Sequence, residues 1–283
     1  MTDIQTELAW KPYFVLADHY DAVRPGYPEA ALHAVASRMP RHPGVPAMAA
    51  DIGSGTGIFT RLLAAALPGV LVVGVEPNDK MVARAEAVTP ESLNVCYACS
   101  PAESLPFATA SVGLATAAGS AQLFDRDVFF REAARVLQPG GALALVQNKR
   151  HCSEGGFFSG FEDLLEDWVP GYATGTFADR TGAYAPVAFH EELAGQAQYT
   201  DITVELFRWD RRFADAEFER FARSTIQVQQ AIETHGQEPV MAALGELVGR
   251  FSHEDGTLIA PYVAEVTSAV RRDGEAETWN DGA

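Results

Sequence analysis

An acid followed by three alternating glycines, Asp51-Ile52-Gly53-Ser54-Gly55-Thr56-Gly57, is backbone that a small molecule can approach closely. Glycine has no Cβ and tolerates positive φ, so a chain arriving along a strand can turn sharply there and present its amides to a ligand. The spacing restricts which ligand. A nicotinamide or flavin site wants G-x-G-x-x-G, but the sixth position is Ile58 counted from Gly53 and Thr60 counted from Gly55. No G-x-x-x-x-G-K-[ST] loop follows to cradle a triphosphate. The chemistry favoured is recognition of a nucleoside that carries no phosphates.

The elements needed to position this turn can be read on either side of it. A strand is expected over 47–52 and a helix over 58–67, stopped by Pro68-Gly69. The β-branched run 70–75 is a second strand ending in Glu76, about twenty residues past the glycines, where an acid can accept both hydroxyls of a ribose. An exposed loop carboxylate is the plainer alternative. Asn78 or Asp79 can cap a helix over 80–88. A third strand is expected over 93–99, a fourth over 111–116, an amphipathic helix over 124–137 with Phe129, Phe130, Ala133, Val136 and Leu137 inward, and a fifth strand over 142–147 after Gln138-Pro139-Gly140-Gly141.

With these residues the chain resembles the class I S-adenosylmethionine-dependent methyltransferases, from about residue 20 to 148 and more weakly to the C-terminus. Ser100-Pro101-Ala102-Glu103-Ser104-Leu105-Pro106-Phe107 is similar to that family's adenine-binding turn, and Arg-Val-Leu-Gln-Pro-Gly-Gly-Ala-Leu to its block after the fourth strand. Tyr20, Arg24, Pro25, Tyr27 and Pro28 match an opening segment of the small-molecule subgroup that includes trans-aconitate methyltransferase-like proteins. The resemblance implies an α/β, Rossmann-like, seven-stranded and mostly parallel sheet with helices on both faces. It implies S-adenosylmethionine as cofactor and S-adenosylhomocysteine as product. The implied cofactor contacts are Tyr20, Arg24, Asp51, Gly53, Ser54, Gly55, Thr56, Gly57, Glu76, Pro77, Met81, Ala102, Glu103 and Ala118.

Two departures qualify it. Pro101 stands where a polar residue is more usual, which leaves Glu103 as the side-chain partner for adenine. Gln122-Leu123 stands where the subgroup tends to carry His-Trp, which argues against transferring the trans-aconitate substrate. For Arg24 a second reading is that Arg-Pro-Gly-Tyr-Pro simply shapes a rigid turn before a helix over 29–38.

The 283 residues carry a net charge of -17, which repels phosphate backbones and anionic bilayers, so neither nucleic acid nor membrane is an expected partner. The polar, acidic start lacks a secretion signal and no apolar run approaches ~20 residues, so a cytoplasmic location is expected. Cys96, Cys99 and Cys152 form no disulfide framework, and residues three apart on a strand point to opposite faces. His190-Glu191-Glu192 and His253-Glu254-Asp255 lack metal-ligand spacing, so no metal is expected.

The remaining chain divides into additions around the core. Residues 1–40 are expected as an N-terminal helical lid, 41–148 as the cofactor-binding core, 149–200 as an inserted acceptor-binding helical cap after the fifth strand, 201–270 as the rest of the core and 271–283 as a flexible tail. A sixth strand is expected over 201–209, helix over 213–233 and a last strand within 258–270. The aromatic stripe over 7–20 can pack in the ordinary way against the domain, close on the acceptor, or pack against a second subunit to make a homo-oligomer. Phe158 and Phe161, at helical spacing, can serve both as core and as walls for a hydrophobic or aromatic small-molecule acceptor.

The chemistry implied is in-line transfer of a methyl group to that small metabolite, in which orientation matters most. A base is needed only if the acceptor must lose a proton. His151, just past the fifth strand, is the first candidate, with an exposed loop histidine as the competing reading; Tyr20, His19 and Tyr13 are weaker candidates, and Gln122 could only orient. The same pocket could serve a non-methylating cyclisation, rearrangement or decarboxylation, or a non-catalytic binding subunit.

Overall fold

The computed structural model describes residues 26–40 and 47–272. Five strands come first: β1 (Met48–Ile52), β2 (Leu71–Glu76), β3 (Val95–Cys99), β4 (Val112–Ala118) and β5 (Leu137–Arg150). A hairpin of β6 (Thr176–Ala178) and β7 (Tyr184–Pro186) precedes two long strands, β8 (Tyr199–Ala214) and β9 (Thr257–Arg271). The main sheet runs β3-β2-β1-β4-β5-β9-β8, parallel through β5 and antiparallel where β9 pairs with β5 and β8. It is the seven-stranded, mostly parallel α/β sheet expected from sequence.

Alternation along these strands builds two apolar layers. Ala50, Ile52, Ala115, Ala117, Leu143 and Leu145 face one side, while Ala49, Leu114, Ala142, Ala144 and Val146 face the other. The first layer is covered by the helix Arg126–Val136 and the second by α1 (Glu29–Ala36) and α2 (Ile58–Ala66), which contribute Leu32, Val35, Phe59 and Leu63. Burial on both faces explains why the central strands read as continuous small and β-branched runs. α3 (Asp79–Val88) is capped by Asn78, whose carboxamide accepts from the amides of Lys80 and Met81; Asp79 lies in the first turn. α4 (Arg126–Val136) buries Phe129, Phe130, Ala133 and Val136.

The boundary between α4 and β5 differs from expectation. Leu137 belongs to β5 and not to α4, because Leu137 already pairs with Val112. The next pair is Leu114 with Ala142, so 138–141 are looped out between the two pairs, with Gly140 at φ 72°. The Pro-Gly-Gly turn therefore exists inside β5.

Helical additions follow the five parallel strands. α5 (Phe157–Trp168) and α6 (Phe189–Ala194) follow β5, and β8 leads into α7 (Asp215–Arg223), α8 (Ile226–His235) and α9 (Gln237–Phe251). The helix expected over 213–233 is two helices, divided where Thr225 accepts the amide of Val228 and caps α8. Phe213 stays in β8, and α9 had no counterpart in the sequence reading. α5, α7, α8 and α9 share one apolar cluster with the ends of β8 and β9. The cap is thus assembled from chain on both sides of β8.

Phe158 and Phe161 lie inside that cluster and are fully buried. Phe158 packs edge-on against Tyr262 at 4.9 Å and Phe161 against Phe218 at 5.5 Å. Their aromatic stripe is cap core, and neither ring lines the cleft described below. Among the described residues no helix is long and apolar enough to cross a membrane.

Candidate active site

The glycine turn joins β1 to α2 with φ of 67°, 54° and 80° at Gly53, Gly55 and Gly57. The three glycines serve different ends. A Cβ on Gly53 would lie 2.6 Å from Ser120 Cβ and 2.9 Å from Phe124 Cζ, so here the turn packs against the loop after β4. A Cβ on Gly57 would collide with the Tyr97 ring, beneath the start of α2. Among the described residues a Cβ on Gly55 would meet only Met81 Sδ, at 3.9 Å. Gly55 faces open space, and Gly57 does not line the cleft.

The turn's amides are already spoken for. Gly53 and Ser54 donate to the carbonyl of Val75, Gly57 to that of Ser54, and Gly55 N to Glu76 Oε2 at 3.0 Å. The turn therefore offers a ligand room more than free donors. Glu76 is fixed at the tip of β2 by that bond and by Asn78 N to Oε1 at 3.1 Å. A carboxylate has about four lone-pair positions, so two bonds leave capacity for a diol.

Asp51 sits behind the turn, 1% exposed, accepting from Thr60 Oγ1 at 2.6 Å and from Thr116 Oγ1 at 3.1 Å. It thereby ties α2 and β4 to the end of β1. Burial pushes its carboxyl up to about 6, against the pull of the two hydroxyls, and the nearby Glu76 adds to the rise. Burial also raises Glu76, opposed by the amides of Asn78 and Gly55.

Asp51, Gly53, Ser54, Gly55, Thr56, Glu76, Pro77, Met81, Ala102, Glu103, Ala118 and Gln122 all line one cleft of about 1520 Å³. Glu103 Oε1 accepts the amide of Asp125 at 2.8 Å, which holds it beside Ala102. The volume exceeds the roughly 300–1,000 Å³ of a typical small-molecule pocket. There is room for two ligands side by side.

His151 is not part of the lining. Its neighbours Arg150 and Cys152 are, and His151 N is held by Pro261 O at 3.0 Å, so alternation in the extended chain turns it away. Tyr20 and Arg24, with His19 and Tyr13, lie outside the described residues. The nearest described part of their segment does reach the cleft. Asn148 Nδ2 donates to Gly26 O at 2.9 Å, and a Cβ on Gly119 would lie 3.5 Å from the Tyr27 hydroxyl.

The structure adds residues that sequence reasoning missed. Ser120 Oγ donates to Ile52 O at 2.9 Å and clamps the loop after β4 onto the glycine turn. On the cap side, Arg150 bonds Glu162 and donates to the Tyr172 hydroxyl at 2.8 Å, which in turn donates to Glu162 Oε2 at 2.6 Å. Burial opposes the charge of Arg150, but Glu162 more than offsets that and holds its pKa above the ordinary arginine value. Burial also holds the Tyr172 phenol far above its usual range, so Tyr172 is no base at neutral pH. No motif spacing announces this group, because Arg150 and Glu162 meet only once α5 folds back over β5.

A methyltransferase domain model matches residues 50–145, the stretch that carries the glycine turn, Glu76 and the loop after β4. About a third of the chain is therefore similar to a methyltransferase domain. An uncharacterized methyltransferase of Mycobacterium tuberculosis is 32% identical over 131 residues, 46% of this chain and 49% of that one. The malonyl-[acyl-carrier protein] O-methyltransferase of Methylococcus capsulatus is 36% identical over 106 residues, 37% and 38% of the two chains. These matches span less than half of the curated relatives.

Among solved structures, a candidate type II methyltransferase of Anaeromyxobacter dehalogenans superposes with TM-score 0.62 at 21% identity, covering 88% of this chain and 97% of that one. A phosphoethanolamine N-methyltransferase of Haemonchus contortus, solved with S-adenosyl-L-methionine, gives 0.55 at 18%, covering 96% and 60%. At these identities the likeness is one of fold. Residues of the matched stretch and of the helical cap both line the cleft. Among its described residues there is no group of His, Cys, Asp and Glu side chains placed to hold a metal ion.

Proposed function

We propose that the chain binds S-adenosylmethionine along the tips of β1, β2 and β4 and transfers its methyl group to a small-molecule acceptor held between there and the cap. The observation that carries this reading is the Glu76 carboxylate, fixed by two backbone amides at the cleft rim beside the open Gly55. Glu76 would hold the ribose hydroxyls, with Pro77 and Met81 beside it and Ala102 and Glu103 at the adenine. The buried pair Asp51 and Glu76 gives this end of the cleft a negative potential suited to a cationic ligand. When bound, the cofactor supplies a methyl group on a sulfonium sulfur that leaves as a neutral thioether. The chain's own task is then to orient the acceptor and exclude water, which can contribute several kcal/mol.

The acceptor wall supported by the structure is polar on the cap side, with Arg150, Glu162, Tyr172 and Thr174 at the cleft and the phenylalanines behind them. His151 loses its claim as base through its position, and Gln122 remains as an orienting group, its Nε2 bonded to Gly119 O at 3.0 Å. A [4+2]-cyclase also shares the fold, with TM-score 0.52 at 17% identity over 96% of this chain. Release of S-adenosylhomocysteine on turnover separates transfer from such a reaction.

Calorimetric titration with S-adenosylmethionine and S-adenosylhomocysteine tests the cofactor site. Glu76→Ala removes charge-assisted bonds of about 1.5–3 kcal/mol each, so the affinity for both should fall at least about tenfold. Equal binding by wild type and variant would refute the assignment of Glu76, and no binding by wild type would refute the reading itself.

A further inference from the structure

The polar atoms of the cleft fall into two classes. On the cap side Arg150, Glu162 and Tyr172 satisfy one another. At the carboxyl tip of β5 the opposite holds. Gln147 is 3% exposed, yet neither its Oε1 nor its Nε2 has a hydrogen-bond partner among the described residues. Gln122 Oε1 and Asn148 Oδ1, which line the same cleft, are buried and unpartnered too. Native proteins pair roughly 90% or more of their buried polar groups, so a buried amide with both atoms unpaired calls for an explanation.

The tip of β5 adjoins the methyltransferase turn. Gly119 N donates to Val146 O at 2.8 Å, so Gln147 follows directly the residue that anchors the loop after β4. Ser120 of that loop packs on Gly53. Among the described residues the cross-strand neighbour of Gln147 on β9, Glu265, is engaged by Lys149 at 2.7 Å. An apolar side chain of similar length would fill this place without leaving two amide atoms unpaired.

We propose that Gln147 is the specificity-determining residue of the acceptor subsite. Its carboxamide, one donor beside one acceptor, recognises an acceptor molecule that presents the complementary pair on adjacent atoms: a lactam or primary amide, a protonated carboxyl, or an enolised dicarbonyl. Gln122 and Asn148 line the same cleft, Asn148 from the opposite face of β5. A site that hydrogen-bonds its ligand this way rejects analogues lacking the donor more strongly than an apolar pocket rejects a missing methylene. The inference deepens the methyl-transfer reading and rests on it for the identity of the neighbouring ligand.

The test uses the full chain, Gln147→Met and two probes, 2-pyridone and 1-methyl-2-pyridone, which differ in the N–H donor. Each is titrated onto the free protein and onto protein saturated with S-adenosylhomocysteine, and thermal unfolding is recorded without ligand. Wild type is expected to bind 2-pyridone at least tenfold more tightly than its methylated analogue. Gln147→Met should lose that preference, keep its affinity for S-adenosylhomocysteine within twofold, and unfold at the same or a higher temperature. A variant that unfolds several degrees lower would show that the amide serves the fold and would overturn the proposal. So would equal binding of the two probes, or a preference that survives the substitution. Failure of wild type to bind S-adenosylhomocysteine would count against the cofactor reading alone, because the probes on free protein still decide the role of Gln147.

Discussion

Asp51 shows at the scale of one residue how a site can be kept at the expense of stability. Its carboxyl titrates near 3.8 in an unfolded chain and at about 6 when folded. The folded state therefore binds the proton more tightly, and its contribution is full below 3.8 and lost as pH rises to about 6. A displacement of that size corresponds to about 3 kcal/mol. Urea unfolding between pH 4 and 7 should show wild type losing stability relative to Asp51→Asn over that window, with a constant difference above it. A difference independent of pH would mean that Asp51 is ionised throughout. The charge is retained where it ties β1, α2 and β4 together behind the glycine turn.

At the scale of an element, the β1–α2 turn divides its demands among glycines. Gly53 and Gly55 both need positive φ, which costs an ordinary residue about 1–2 kcal/mol, but only Gly53 faces a wall, formed by Ser120 and Phe124. Overpacking of this kind adds about 1–3 kcal/mol. Gly53→Ala should therefore destabilise by about twice as much as Gly55→Ala in denaturant unfolding. Gly55→Ala should show its larger effect in calorimetry with S-adenosylhomocysteine, because the added methyl points into the cleft. A Gly55→Ala protein as unstable as Gly53→Ala would show that its open surroundings are misassigned.

At the scale of the whole molecule, the cap is joined to the sheet through Arg150 at the end of β5 and Glu162 on α5, with the Arg150 guanidinium 5.3 Å from the Phe161 ring centre. Removing one partner of a buried pair strands the other charge, at about 3–5 kcal/mol, whereas replacing both with apolar residues is often nearly neutral. Arg150→Met and Glu162→Leu should each lower the unfolding midpoint sharply, and the double variant should recover much of the loss. Additive losses would mean that the two groups do not act as a pair. Edge strand β8 carries the most exposed large apolar side chain, Leu206 at 62%, between Glu205 and the outward charges Arg208 and Asp210, the kind of charged edge that discourages strand pairing between copies.

How much of this was legible in the chain depends on how local the physics is. The glycine turn, Glu76, the Asn78 cap and the apolar faces of α2 and α4 are set by residues within one βα unit. Backbone freedom, strand tips and helical periodicity act over a few positions, so sequence alone determined the Rossmann-like core and put the glycine turn and Glu76 at its strand tips. The cap escaped it: 213–233 reads as one helix until Thr225 is seen to cap a second, and α9 packs with α5 from the far side of β8. Spacing put Phe158 and Phe161 on one face, but only packing against Phe218 and Tyr262 decided that the face looks inward. His151 and Gln147 are the sharpest case. Both sit at the end of β5, and their residue types favour the histidine for chemistry. The tertiary structure turned His151 out of the cleft and left the amide of Gln147 buried and unpaired in its wall. Whether a polar group has a partner depends on what distant chain brings to it, and that is settled only when the chain is folded.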